Sequence, residues 1–305
     1  MRALALTLDL DGPAEYAALH DVSTDNVDPL VMYRAPLDRF VALCKTLGGT
    51  GTLFVVGRDA RDEAAARLRE VAAEGFEIAC HSAAHDYRLS RRTPEVIRND
   101  LSRAREQLEM AVGSVPRGFR APGYHLSPAL LDALEACGFA YDSSVMPSPP
   151  YYVAKAAVLA AYRLARRSTA SLLGSPRLVL APRGPYRPGD DPYATGNRSI
   201  VELPIAVSMR LGLPVTGTSL VMAPVWLQRR MLASLVDQDV VVINLHAMDF
   251  SDPEGECLPS ALERRQPELR IPVAERDATL RGALAVVGSG RRLMTCAEIA
   301  EAWAG

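Results

Sequence analysis

The chain has 305 residues, 49% of them hydrophobic, and 34 basic against 36 acidic residues for a formal net charge of −2. That supplies a core large enough for one α/β barrel or two ordinary domains. The near-neutral balance, without a basic run, argues against nucleic acid as a partner. Five cysteines (Cys44, Cys80, Cys137, Cys257, Cys296) are scattered and lack CxxC spacing. They fit a reducing compartment better than a disulfide framework or zinc ribbon, and Cys80 reads as a small buried strand residue.

Taken in order, RALALTL (2–8) reads as a buried strand that the N-terminus enters at once. No signal-peptide pattern precedes it, and no apolar run nears the roughly 18 residues a spanning helix needs, so a cytoplasmic location is expected. A helix over 36–48, a strand over 52–57, an alanine-rich helix over 60–74 and a strand over 76–80 follow. Thr93, Pro94 and Glu95 open a helix that Gly113 closes, and Ser127–Pro128 opens another over 127–138. Strands are expected at 118–122, 139–144, 200–205, 240–246 and 291–295. Helices are expected at 224–238, at 273–287 and from Cys296 to the end. Alternating strands and helices of this kind predict parallel strands in a barrel or a doubly wound sheet, with useful residues at the strand ends.

Residues 145–199 interrupt the pattern. No acidic residue stands between Ser143 and Gly189, while Lys155, Arg163, Arg166, Arg167, Arg177, Arg183 and Arg187 are basic. The first half is helical in composition, with its basic residues toward one side. It reads either as a helix packed on the barrel or on another subunit, or as an interfacial helix, with peripheral contact to anionic lipid through 151–187. The second half, rich in Pro and Gly, reads as a long loop over the barrel mouth.

The candidate chemistry sits at strand ends. His81 and His85 share a face if the chain turns helical there, which suits a metal pair or a merely exposed helix face. Asp9 and Asp11, two apart, project to one side of a regular strand. A hydrolytic metal site also needs a base, an oxyanion donor and an acid. Asp11, His81 and His85 can bind the metal, leaving Asp9 as the base or as a supporting carboxylate. Arg120 could orient Asp9 or lie on the surface, and the turn at Pro122–Gly123 aims the Tyr124 N–H toward an oxyanion. His246, at the end of VVVINLH, reads as general acid or core histidine. Asp142 holds His246 or Arg120, or caps a turn with Ser143 and Ser144. His20 and His125 read as surface or loop residues.

TLDLDG, HSAAH, RAPGY and NLH occur in the order of the motifs of the polysaccharide deacetylase (NodB-homology) family, carbohydrate esterase family 4, which the chain resembles over nearly its whole length apart from the insertion. The D-x-D form resembles a branch with peptidoglycan deacetylase-like and allantoinase-like proteins, and FAYDSS carries Asp142 without the Trp that often follows it in the family. The resemblance implies a distorted (β/α)7 barrel over residues 1–305 with an inserted helix and loop, and a divalent metal, zinc first with cobalt, nickel or iron as alternatives. It implies Asp9 as base, Asp11, His81 and His85 as ligands, and Arg120, Tyr124, Asp142 and His246 as the remaining machinery. Three activities follow as expectations. The first is removal of an N-acetyl group from an amino sugar, soluble or lipid-linked, with a formyl group as the variant. The others are hydrolysis of a cyclic or linear amide, and non-catalytic sugar or lipid binding.

Overall fold

The computed structural model describes residues 1–24 and 27–304. Along the chain lie β1 (Ala3–Leu10), α1 (Pro13–His20), α2 (Ala35–Thr46), β2 (Thr52–Val55), α3 (Asp62–Ala73), β3 (Glu77–Cys80), α4 (Pro94–Val112), β4 (Gly118–Phe119), α5 (Pro128–Ala136), β5 (Tyr141–Asp142) and α6 (Pro149–Leu164). Then come β6 (Val201–Glu202), α7 (Gly217–Met222), α8 (Val225–Ala233), β7 (Val240–His246), α9 (Ser260–Glu263), α10 (Val273–Gly288), β8 (Arg292–Leu293) and α11 (Cys296–Ala304). All strand pairs are parallel, in the order β6-β5-β4-β3-β2-β1-β7, and β8 fills the edge that β2 leaves open at Ala3–Leu4. A bridge from Ile205 to Val242 joins the β6 end to β7, giving the distorted α/β barrel that the sequence implied.

Alternation along the strands sorts residues into two layers. On β1, Leu4, Leu6, Leu8 and Leu10 face the helices, while Ala3, Ala5, Thr7 and Asp9 face the barrel interior. Ala3, Ala5, Phe54, Val242 and Met294 form an apolar plug with Cys296 and Ile299 of α11. Above it the lining turns polar toward the strand C-termini. On the helix side, α4 has the expected Thr93 cap, with the Val96 N–H donating to its side chain, and the Gly113 stop at φ 80°. Ile97, Leu101 and Leu108 are buried along one face of α4, at about 1.5–3 kcal/mol each.

Helix α1 and the short α7 and α9 were not expected. The second half of the insertion is more tied down than a free loop. Antiparallel bridges join Tyr186 to Glu202 and Pro188 to Thr195, and Tyr186 Oη donates to Pro192 O at 2.7 Å. The inserted helix also corrects an expectation. Lys155 lies on its half-buried stripe, whereas Arg163, Arg166 and Arg167 are exposed, so the basic residues do not share one side.

Asp142 holds neither His246 nor Arg120; of its expected roles the structure shows the turn, with the Ser144 N–H donating to its Oδ2 at 3.2 Å. Alternation turns Tyr141 and Ser143 to the interior, so Ser143 reaches Arg120. Asp142 instead accepts from Ser144 Oγ at 2.7 Å and pairs in register with Glu202, both fully buried. Burial and then the neighbouring Asp142 push the Glu202 carboxyl well above its ordinary value of 4.5, and burial also raises Asp142. The folded pair keeps a proton that the unfolded chain releases above that value, so stability falls as pH rises toward the folded pKa. Glu202→Gln preserves the acceptor for the Val145 N–H and removes the titration. Urea midpoints should therefore fall from pH 5 to pH 8 in the native chain and fall less in the variant; parallel profiles would contradict the shared proton.

Candidate metal centre and its polar support

The HxxxH pair does not lie on a helix. His81 follows β3, and left-handed backbone at Ser82 (φ 65°) and His85 (φ 53°) folds the segment back on itself. Such conformations cost non-glycine residues about 1–2 kcal/mol each and cluster at functional sites. Here the His85 N–H donates to Ser82 Oγ at 2.8 Å, and the two imidazoles meet edge to face with centroids 4.8 Å apart. Asp11 comes from the residue after β1, with its Oδ1 3.3 Å from His81 Nε2 and 3.1 Å from His85 Nε2.

These three side chains fit a metal. One donor atom from each lies within 4.8 Å of the others, and all three residues are buried. His81 Nδ1 donates to the Arg120 carbonyl at 2.7 Å, which leaves the Nε2 lone pair free as a ligand. Asp11 Oδ1 and both ring nitrogens of His85 are buried without a hydrogen-bond partner. Orphaned polar atoms that converge in this way are rare unless something between them completes the set. Burial alone would raise Asp11, but His85 and His81 hold its carboxyl well below the usual range. Burial likewise opposes a charge on His81, and Asp11 overrides it to raise the imidazole. A bound cation would take over that balancing charge with both rings neutral.

The second cluster is built by strand register. Thr7 stands beside Asn244, and Asp9 beside His246, on β1 and β7. Arg120, after β4, has no exposed surface. Its Nη1 donates to Asp9 Oδ1 at 2.6 Å, Asn244 Oδ1 at 2.7 Å and Thr7 Oγ1 at 2.8 Å. Its Nε donates to Ser143 O and its Nη2 to Ser143 Oγ, and the guanidinium lies 4.0 Å from the Phe54 ring centroid. Asp9 Oδ1 is thus committed, while Oδ2 accepts from Asn244 Nδ2 at 3.3 Å and from Tyr124 Oη at 3.4 Å, with His246 Nε2 at 3.7 Å.

Tyr124 enters the site differently from the expectation. The turn at Gly123 (φ 68°) and Tyr124 (φ 66°) is sharp, but the Tyr124 N–H donates to Ala121 O at 2.9 Å and is not available to an oxyanion. The phenol is what reaches the pocket, 2.9 Å from His246 Nε2 and 2.6 Å from the donating Asn244 Nδ2. Burial, then Asp9, push the phenol well above its ordinary range, so it stays a donor.

Several supporting residues escaped the sequence reading. Thr7 and Asn244 each lie two positions before a singled-out residue, so strand alternation alone points to them. Asp249 accepts from the His246 N–H at 2.9 Å, and Arg276 secures the same loop through the carbonyls of Met248 and Asp249. His125 is buried, not on the surface, and lies 3.5 Å from Lys155 Nζ. His20 is half-buried at the end of α1. A cavity of about 160 Å³ joins Asp9, Asp11, His81, His85 and His246, with Tyr151 and Lys155 of the insertion on its wall.

Residues 28–141 match the family model described as polysaccharide deacetylase. That span holds His81, His85, Arg120 and Tyr124, while Asp9, Asp11 and His246 lie outside it. The putative polysaccharide deacetylase from Mycobacterium smegmatis has 22% identity and a TM-score of 0.60, over 99% of this chain and 90% of its own. The Puue allantoinase has 16% identity and a TM-score of 0.57, over 99% of this chain and 89% of its own. No curated protein matches the chain. Residues 28–141 thus match the polysaccharide deacetylase model, and the chain as a whole shares the distorted parallel barrel of these solved structures.

Proposed function

We propose that this protein is a metal-dependent hydrolase that removes the N-acetyl group from an amino sugar. The observation that carries the reading is the meeting, in one cavity, of the Asp11–His81–His85 set with Asp9, whose Oδ2 is the oxygen not paired to Arg120, and with His246. The family match supports the same reaction class. Asp11, His81 and His85 would hold the ion, zinc before cobalt, nickel or iron, which when bound supplies a Lewis acid for the amide carbonyl. Asp9 Oδ2 takes the proton of the attacking water, because Arg120 occupies Oδ1. The Tyr124 phenol is the donor placed to meet the developing negative oxygen, in the role expected of its backbone. His246 Nε2 returns a proton to the departing nitrogen, so water and amide become carboxylate and amine. Tyr16, Tyr87, Tyr124 and Tyr151 line the cavity with aromatic surface suited to a sugar ring.

The insertion supports a further part of the proposal, a substrate presented at a membrane from the cytoplasmic side. No residue of α6 is fully buried, and Val153, Val158 and Leu164 are exposed on the helix whose end carries Arg163, Arg166 and Arg167. That combination suits an anionic lipid surface. None of the described helices is long and apolar enough to cross a membrane.

Mass spectrometry of zinc-loaded protein with N-acetyl and N-formyl amino sugars, free and polyprenyl-phosphate-linked, and with allantoin tests the substrate class. Loss of an acetyl group from a sugar is expected; loss of formyl alone, or hydration of allantoin alone, would replace the reading. Asp11→Ala and His81→Ala should reduce the metal-to-protein ratio to near zero, and full occupancy would contradict the ligand assignment. Asp9→Asn should keep the metal but lower turnover at least about 10²-fold. It should also lower stability by a few kcal/mol, since Arg120 loses its counter-charge; wild-type turnover would remove Asp9 as base. Neutralising Arg163, Arg166 and Arg167 together should abolish co-flotation with anionic vesicles. Equal partitioning of native and variant protein would leave the helix as packing only.

A further inference from the structure

We infer that Lys155 of the inserted helix forms an anion subsite on the wall of the metal cavity, and that the substrate is an amino sugar bearing a carboxylate or phosphate group. This rests on the acyl-amide reading of that cavity and specifies its substrate. The first support is placement. Tyr151, Lys155, Leu159 and Tyr162 are half-buried at helical spacing, which marks the stripe of α6 turned to the barrel, while Val153 and Val158 are exposed. Lys155 therefore belongs to the cavity wall and not to the exposed arginines at the helix end.

Charge is the second support. Among the described residues lining this cavity, Lys155 is the cation without an acidic partner. Asp9 is matched by Arg120, and Asp11 is committed to the two imidazoles. The run from Ser143 to Gly189 offers no carboxylate. What faces the ammonium instead is His125, with Nε2 at 3.5 Å, and the ring of Tyr151 at 5.8 Å. Burial, then Lys155 and Arg91, push His125 down to about 3, so its neutral imidazole accepts from the ammonium and holds it in place. Burial alone lowers Lys155 to about 8, which leaves it mostly charged at neutral pH. A partly desolvated ammonium with only a neutral acceptor is an unfavourable arrangement by itself. An anionic group on the substrate supplies the missing charge, and a charge-assisted hydrogen bond fixes the ring's orientation over the metal ligands.

The experiment compares N-acetylglucosamine, N-acetylmuramic acid and N-acetylglucosamine 1-phosphate on zinc-loaded native protein, Lys155→Met and Lys155→Arg. The readout is each protein's ratio of kcat/KM for an anionic sugar to that for the neutral one, which cancels general damage in a variant. The native ratio should be about 10-fold or more for at least one anion, near one in Lys155→Met and partly restored in Lys155→Arg. The larger ratio identifies carboxylate or phosphate as the group recognised. A native ratio near one for both, or a ratio unchanged in Lys155→Met, overturns the subsite. If no sugar is hydrolysed by any protein, the deacetylase reading fails, and calorimetric binding of the same sugars judges the subsite separately. Anion affinity about 10-fold weaker in Lys155→Met then supports it, and equal affinity overturns it.

Discussion

Arg120 places a permanent positive charge where no water reaches it, and the mouth of the barrel is arranged to satisfy that charge. Asp9 supplies the counter-ion, and Thr7, Asn244 and Ser143 take the remaining donors, with Phe54 beneath the guanidinium plane. Removing either partner of such a pair costs about 3–5 kcal/mol, because the survivor is left buried and unmatched. The same residue ties the two halves of the site together. Its side chain occupies one oxygen of Asp9, and its carbonyl fixes the tautomer of His81. Orientation of the proposed base and of a metal ligand thus depends on one residue at the end of β4.

Where the sequence was legible, the reason is periodicity. Alternation along β1 and β7 carries the apolar plug at Ala3, Ala5 and Val242 up to the reactive layer at Asp9 and His246. Helix α4 announced both of its ends through Thr93 and Gly113. The spacing of Asp9 with Asp11 and of His81 with His85 identified the residues that converge. It misjudged the backbone between the histidines, because left-handed residues at Ser82 and His85 are fixed by local hydrogen bonds and tertiary packing. The expected hold on Arg120 fell one residue from Asp142 for the opposite reason, while its alternative turn with Ser144 is present. In a strand, a shift of one position changes the face, so Ser143 reaches Arg120 and Asp142 turns to Glu202. His125 and Lys155 could not be read as a pair, since they meet only after the insertion folds over the mouth.

The insertion links the fold to specificity. A parallel barrel offers the same mouth to many chemistries, and what closes it decides what enters. Here one stripe of α6 delivers Tyr151 and Lys155 to the cavity, while the opposite side leaves apolar surface exposed near a basic end. In the proposed function the barrel carries the machinery for the amide, and the added segment carries the features that select its bearer.

The proposed function requires metal-dependent cleavage of an acyl amide. The direct measurement is acetate released from an N-acetyl amino sugar by one preparation, first stripped with a chelator and then titrated with zinc. Release should be absent after stripping and should rise to a plateau at one zinc per chain. Release that is undiminished by the chelator, or a zinc-loaded protein that frees no acyl group from any sugar in the panel, would contradict it.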